Sequence, residues 1–385
     1  MGLRGRRARH HRNHIRHQGR ERVFLPESAM KRVLLAYVLL QILTFAAFPS
    51  ALVAFAQGGD PRPRSVQIYH AFGDSITFGI GASITSKRYV SLIATDKALV
   101  LTDLGVSGSQ ACDVVDAQIM PNENPGITNV ALYTEMVGLN DADIKGAGAY
   151  EANYSNCLTA GLSWLAIPST YKKFAQNGST SGSWSDDGSW PQGVGLFSTT
   201  NGSTLTLRLV TTGRPIYLWY RMMDSNGGTF TYALDGGSTT TIRTAPTPTI
   251  STQNGGVTGR GVVRIAGVSA GSHTISINVT SATSAGNSVS IGGVGTPGSS
   301  SDKNISSVYE GGVTKQREDG NGAATAQYNA DALAVVNMLA GDGLKVFFVP
   351  VRSFIDGLPD QMFDQLHPND LGHSLIRNAF ESVWR

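Results

Sequence analysis

Val66-Gln67-Ile68-Tyr69-His70-Ala71-Phe72-Gly73-Asp74-Ser75-Ile76-Thr77 is the stretch that decides the fold. Val66 to Ala71 is short and largely apolar, and it runs into a glycine turn. That combination predicts a buried strand. Outward from it, helical and strand patterns alternate. Tyr89 to Ala98 reads as a helix and Ala131 to Val137 as a second buried strand. Residues 149–166 form an amphipathic helix through Leu158, Leu162, Trp164 and Leu165, and 323–340 another through Ala332, Leu333, Val336 and Leu339. Leu344 to Val351 is an apolar strand, and 370–384 a closing helix. Strands alternating with helices predict an α/β domain with a parallel, doubly wound sheet.

Between these flanks the chain changes character. From Phe174 to Asp302 there is no Lys and no Glu, while Gly, Ser and Thr dominate. Strong helix formers are missing and strand formers abound, so the stretch is expected to be all-β. Leu205-Leu207-Leu209, Ile216 to Tyr220, Phe230 to Leu234, Val262 to Ile265 and Ile275 to Val279 read as strands, with turns at Asp235-Gly236-Gly237 and Ala270-Gly271-Ser272. Short strands at regular spacing predict a β-sandwich. The expected organisation is a leader over 1–56, an α/β domain of 57–167 plus 303–385, and an inserted sandwich over 168–302.

The formal charge of +3 hides an asymmetry: residues 1–56 hold 10 of the 31 Lys/Arg and 2 of the 28 Asp/Glu, leaving 21 against 26 in the body. The basic excess belongs to the leader, so the body gives no case for nucleic-acid or anionic-membrane partners. Met30-Lys31-Arg32 opens a signal sequence, with an apolar run from Val33 to about Phe48 and Ala54-Phe55-Ala56 as a small-x-small cleavage site. Met30 is then an alternative start to Met1. The apolar run is shorter than the ~20 residues a membrane span needs. A secreted or periplasmic protein, cut near Ala56 and without stable membrane insertion, is expected. In an oxidising compartment Cys112 and Cys157 either bridge the helices that follow two neighbouring strands or remain separate buried thiols. Both outcomes stay open.

The chemistry gathers at strand ends, where open α/β sheets place their sites. Ser75 follows the first strand; Asp103-Leu104-Gly105-Val106-Ser107-Gly108 and Val137-Gly138-Leu139-Asn140-Asp141 come next, and Asp364-Gln365-Leu366-His367-Pro368-Asn369 lies near the C-terminus. A serine hydroxyl is a poor nucleophile until an oriented base takes its proton. The body offers His70, His273, His367 and His373. His70 lies on the entering strand, His273 in the β insertion and His373 in the closing helix. His367 stands in a loop with Asp364 three residues before it, a spacing that lets the carboxylate reach the same imidazole. The backbone N–H of Ser75, the N–H of Gly108 (or, less favoured, Gly105) and the amide of Asn140 are candidate oxyanion donors; losing one such donor typically costs about 3–4 kcal/mol in the barrier. Asp74 and Asp141 are expected to bond backbone rather than react.

Taken together, Gly73-Asp74-Ser75, Gly108, Gly138-Leu139-Asn140-Asp141 and Asp364-x-x-His367-Pro368 resemble, in order and spacing, the four blocks of the SGNH (GDSL) hydrolases. The resemblance implies a flavodoxin-like three-layer α/β/α esterase, with the β insertion lying outside the family core. It also implies Ser75 as nucleophile, His367 as base, Asp364 as its orienting acid, an oxyanion hole of Ser75, Gly108 and Asn140, and no metal or cofactor. The pattern resembles exported, polysaccharide-directed members with β-sandwich modules, so an acylated polysaccharide or oligosaccharide is the expected substrate. A lipase or lysophospholipase, an acyltransferase and a non-catalytic carbohydrate-binding protein are the alternatives. In the insertion, Trp184, Trp190, Tyr217, Trp219, Tyr220 and Tyr232 either fill the sandwich core, the favoured reading, or stack on sugar rings.

Overall fold

The computed structural model describes residues 67–123, 130–148, 150–223, 225–250, 258–284, 287–298, 307–316 and 322–384. The expected leader, the cleavage at Ala56, Val66 and the 302/303 boundary lie outside the described residues. Five strands make one parallel sheet: β1 (Ile68–Gly73), β2 (Val100–Asp103), β3 (Val130–Met136), β4 (Ser307–Gly311) and β5 (Val346–Val349). Their order is β2-β1-β3-β4-β5, the flavodoxin-like arrangement in which β1 lies inside the sheet and the order reverses between β1 and β3. Helices α1 (Ser75–Phe78), α2 (Tyr89–Lys97), α4 (Leu139–Lys145), α5 (Glu151–Ala166), α6 (Gly322–Gly341) and α7 (Asp370–Val383) flank the sheet. Between α2 and α4 lies α3, which is α-helical over Ala111–Asp113, widens to π geometry over Val114–Ile119 and closes over Met120–Asn122. No helix among the described residues is long and apolar enough to cross a membrane.

The chain leaves this sheet after α5 and returns to it in β4. In between it forms two antiparallel sheets. One runs Thr258–Ile265, Ile216–Met223, Val289–Gly295, Gly195–Ser198, Ser185–Asp187, with Lys172–Phe174 beside Val289–Gly295. The other runs Thr240–Arg243, Thr229–Leu234, Ala270–Ser281, Thr204–Thr212, Ser179–Ser181. Alternation is strict where it matters: Leu205, Leu207 and Leu209 turn inward, Arg208 and Val210 outward.

Aromatic side chains do two jobs here. Tyr220 meets Phe230 of the opposite sheet at 5.6 Å, inside the sandwich. Trp219 and Trp190 instead meet Trp164 of α5, at 5.1 and 5.8 Å, and Trp219 Nε1 donates to Ser163 Oγ at 3.0 Å. Trp190, Tyr217, Trp219 and Tyr220 are all buried, which removes them as sugar-stacking rings. The core therefore runs without a break from the sandwich into the α/β layers.

Three sequence expectations need correction. Ala270-Gly271-Ser272 is not a turn but the start of a long strand; the chain reverses just before it, at Gly267, whose φ is +70°. Strand β4 was not expected at all, because a glutamate sits in its middle and Gly-Ser sequence leads into it. Cys112 and Cys157 do form a disulfide, with Cα atoms 5.1 Å apart. It joins α3 to α5, yet the strands preceding them, β2 and β3, are not neighbours, since β1 lies between.

That glutamate carries a consequence. Glu310 of β4 pairs in register with Glu135 of β3, both are fully buried, and none of their four carboxyl oxygens has a hydrogen-bond partner among the described residues. Burial raises both carboxyls, and Glu135 raises Glu310 further by like-charge repulsion. The folded chain therefore holds these protons to higher pH than the unfolded chain does. The contribution of this pair to stability is greatest in acid and falls as pH climbs out of the ordinary carboxylate range. Glu310→Gln should flatten that fall in Tm between about pH 5 and about pH 8. A slope unchanged from the parent chain would show that the pair carries no such load.

Candidate active site

Strand β1 stops abruptly at Gly73, and the next residue begins a helix. Asp74 is the N-cap of α1: its Oδ1 accepts the Ile76 N–H at 2.9 Å, fixing a sharp strand-to-helix turn. Ser75, the first helical residue, is thereby held at the carboxyl end of β1, an interior strand of the sheet, 5% exposed.

His367 comes from the far end of the chain. Its Nε2 lies 2.9 Å from Ser75 Oγ, and its Nδ1 lies 2.8 Å from Asp364 Oδ2. Asp364 Oδ1 accepts the backbone N–H groups of Leu366 (2.8 Å) and His367 (2.7 Å), so the carboxylate and imidazole are fixed within one loop. Partial burial pushes the Asp364 carboxyl up. The hydrogen bonds from the His367 imidazole and from those two backbone N–H groups outweigh it, and the carboxyl ends below the ordinary range. An ionised Asp364 can only accept, which makes Nδ1 the donor and leaves Nε2 to accept the serine proton.

The loop is seated firmly. Phe363 N–H donates to His367 C=O at 2.8 Å, Asn369 N–H donates to Gln361 C=O at 3.0 Å, and Asn369 caps α7 through the N–H groups of Leu371 and Gly372. Gly81, with φ +93°, lets the chain after α1 lie against Pro368; a Cβ there would stand 2.1 Å from the Pro368 oxygen. Only glycine fits at that meeting of the first and last segments.

The other histidines have structural work. His70 pairs with Glu123 at 2.5 Å, and Tyr133 donates to the same carboxylate. His273 bridges Asp235 and the Ser269 carbonyl in the sandwich. His373, like His367, follows an aspartate by three residues, so spacing alone does not single out His367. Asp370, however, accepts from Ser83 N–H, Ser83 Oγ and Lys87 Nζ. Burial pushes the His373 imidazole down to about 4, leaving it neutral between the Tyr89 N–H and the Ile80 carbonyl.

Groups able to meet a negative charge are tied to the Ser75 turn through the bonds Gly73–Gln118–Ser109–Asn140. The N–H groups of Ser75 and Gly108 donate to no protein acceptor among the described residues. Asn140 Nδ2 gives one hydrogen to the Ser109 carbonyl at 3.0 Å, which orients the amide and leaves its second hydrogen free. Gly105 serves packing instead: a Cβ on it would stand 2.6 Å from Phe78 N. Asp141 accepts the Ala111 N–H at 3.1 Å and, buried, is pushed up to about 8. Gln118 was not singled out in the sequence, and a glutamine within a helical stretch gives no signal. Its side chain nonetheless lies in the middle of this assembly, bonded to Gly73 and Ser109.

No protein-family model matches the chain, and no curated protein matches it. Among solved structures it is similar to a two-domain esterase active on acetylated mannans, with 12% identity over 60% of this chain and 90% of the other, at a TM-score of 0.33. It is similar to a member of the lipolytic G-D-S-L family from Veillonella parvula, with 10% identity over 83% of this chain and 98% of the other, at 0.37. A third is LAE5, an alpha/beta hydrolase enzyme from the metagenome of Lake Arreo, with 14% identity over 82% and 94% and a TM-score of 0.37. What chemistry the chain performs is therefore read from the site itself.

Proposed function

We propose that this chain is an exported carboxylic ester hydrolase acting through an acyl-enzyme on short acyl groups carried by carbohydrate. The observation that carries the chemistry is the hydrogen-bonded relay Asp364–His367–Ser75. Ser75 Oγ attacks the ester carbonyl while His367 Nε2 takes its proton, and Asp364 holds the imidazole and offsets the charge it gains. The tetrahedral oxyanion is met by the Ser75 N–H, the Gly108 N–H and the free hydrogen of Asn140 Nδ2. His367 then returns its proton to the leaving alcohol, and a water repeats the sequence to free the acid.

Export is supported by the leader sequence and by the Cys112–Cys157 disulfide, a bond kept in oxidising compartments. The carbohydrate is supported by the resemblance to polysaccharide-directed hydrolases with β-sandwich modules. The sandwich aromatics lend nothing to it, since four of the six are buried.

Ser75→Ala should abolish turnover of p-nitrophenyl acetate and labelling by a serine-directed phosphonate. An unmutated chain with neither activity would sink the reading and favour a binding protein. Asn140→Ala should lower kcat by roughly 10²–10³-fold; an unchanged kcat would remove Asn140 from the oxyanion hole. Across p-nitrophenyl esters of graded length and acetylated oligosaccharides, kcat/KM should be highest for acetyl groups on sugar. Preference for long acyl chains would replace the carbohydrate with a lipid.

A further inference from the structure

Gln118 is 2% exposed and sits in the π-helical turn of α3, on a wide turn of a kind that often marks functional sites. Its Oε1 accepts the Gly73 N–H at 2.9 Å, and its Nε2 donates to the Gly73 carbonyl at 2.8 Å and to Ser109 Oγ at 3.1 Å. Both amide hydrogens and one acceptor position are thus spent on residues that flank the reacting groups.

Gly73 is the last residue of β1, in register with Met136 of β3 but past the end of the ladder to β2. The ladder between β1 and β2 ends at Ala71 and Asp103. Gly73 has φ +150°, and a Cβ there would stand 2.4 Å from the Met136 oxygen, so no side chain of its own can fix it. The Gln118 amide grips both polar groups of this one residue: its Oε1 accepts the Gly73 N–H, and its Nε2 shares the Gly73 C=O with the Val106 N–H, which donates to it at 3.0 Å. Two residues later comes Ser75. On its other arm, Gln118 reaches Ser109, whose neighbour is Gly108 and whose carbonyl orients Asn140. One side chain therefore links the nucleophile turn to the segment that carries one oxyanion donor, Gly108, and orients a second, Asn140 of α4.

The helix bearing it is itself tied down. Asp116, two residues earlier, accepts Thr258 Oγ1 at 2.7 Å and pairs with Arg260 Nη1 at 2.6 Å, both from the inserted sandwich. Asn122 Nδ2 donates to the Gln118 carbonyl at 2.8 Å, and the disulfide fixes Cys112.

We infer that Gln118 is a positioning residue for the acyl transfer, holding Ser75 and the oxyanion donors in register through Gly73 and Ser109. This rests on the ester-hydrolase reading, so the unmutated chain is assayed first on p-nitrophenyl acetate. Absence of turnover there sinks that reading and leaves Gln118 out of the question. Given turnover, Gln118→Met keeps the volume and loses the three bonds. It should lower kcat about 10²-fold, as small misplacements of reacting groups do, with KM within about threefold. A folded Gln118→Met with kcat within threefold of the parent overturns the inference. Gln118→Glu gives a second measurement if the methionine variant fails to fold. A protonated carboxyl can accept from Gly73 N–H and donate to Gly73 C=O, whereas a carboxylate cannot donate. The ratio of its kcat to the parent's should be highest in acid, stay below one because the carboxyl has no second hydrogen for Ser109 Oγ, and fall as pH rises. A ratio independent of pH, with the variant still folded, overturns the inference, because a side chain needed only for folding would not tie kcat to its own protonation.

Discussion

A serine hydroxyl reacts as a nucleophile only while an imidazole nitrogen stays about 3 Å from it. Here the two groups are 292 positions apart in the chain. Most of what lies between can be understood as keeping that contact. β1 is clamped on both sides by parallel neighbours and ends where Ser75 must stand. The loop of residues 361–369 is braced by its own backbone bonds and by the close approach of Gly81 to Pro368. Neither segment has a way to drift without breaking several bonds at once.

The insertion had to be accommodated under the same constraint. It leaves the sheet after α5 and returns in β4, so a loosely hinged module would let β4, β5 and the His367 loop float relative to β1. The structure avoids that with a shared core. Trp164 packs into the aromatic face of the sandwich, and Trp219 bonds back to Ser163. Arg264 grips Asp342 beyond the end of α6, and Arg260 grips Asp116 in α3. Each pair has one buried and one partly exposed member; such pairs often return little net stability, but their geometry is demanding, and here they tie the sandwich to α3 and to the end of α6. The sandwich is part of the frame on which the site is built.

Strand and helix types were legible wherever apolar spacing repeated, as in α5, and the segments at the strand ends carried their chemistry openly in residue type. Other features escaped for identifiable reasons. β4 has a glutamate where a buried strand should have an apolar residue, and only the facing Glu135, far away in sequence, explains it. Asp-x-x-His occurs twice, at 364–367 and 370–373, so the spacing that pointed to His367 fits His373 equally, and only the loop against helix location separates them. Gln118 was invisible because two of its three bonds go to backbone atoms of Gly73, which leave no mark in a sequence, and the third to a serine hydroxyl. The aromatics of the insertion were legible as buried, but their second partner, α5, was not.

Charge around the site is distributed unequally, and burial does the distributing. Asp364 is held ionised beside the imidazole that must become positive. Asp74 is raised only to about 6 by burial, opposed by the Ile76 N–H and by the field of His367, so near neutral pH it too is mostly charged on the base side. Asp141 adjoins Asn140, the amide proposed to meet the oxyanion, and on that proposal a carboxylate there would oppose the reaction. Burial pushes it up to about 8, which at pH 7 favours the neutral acid about tenfold. It still accepts the Ala111 N–H and so orders the segment after Gly108 without bringing a negative charge. The same residue type is thus used as a charge on one side of Ser75 and as a neutral hydrogen-bonding group on the other, with desolvation deciding which.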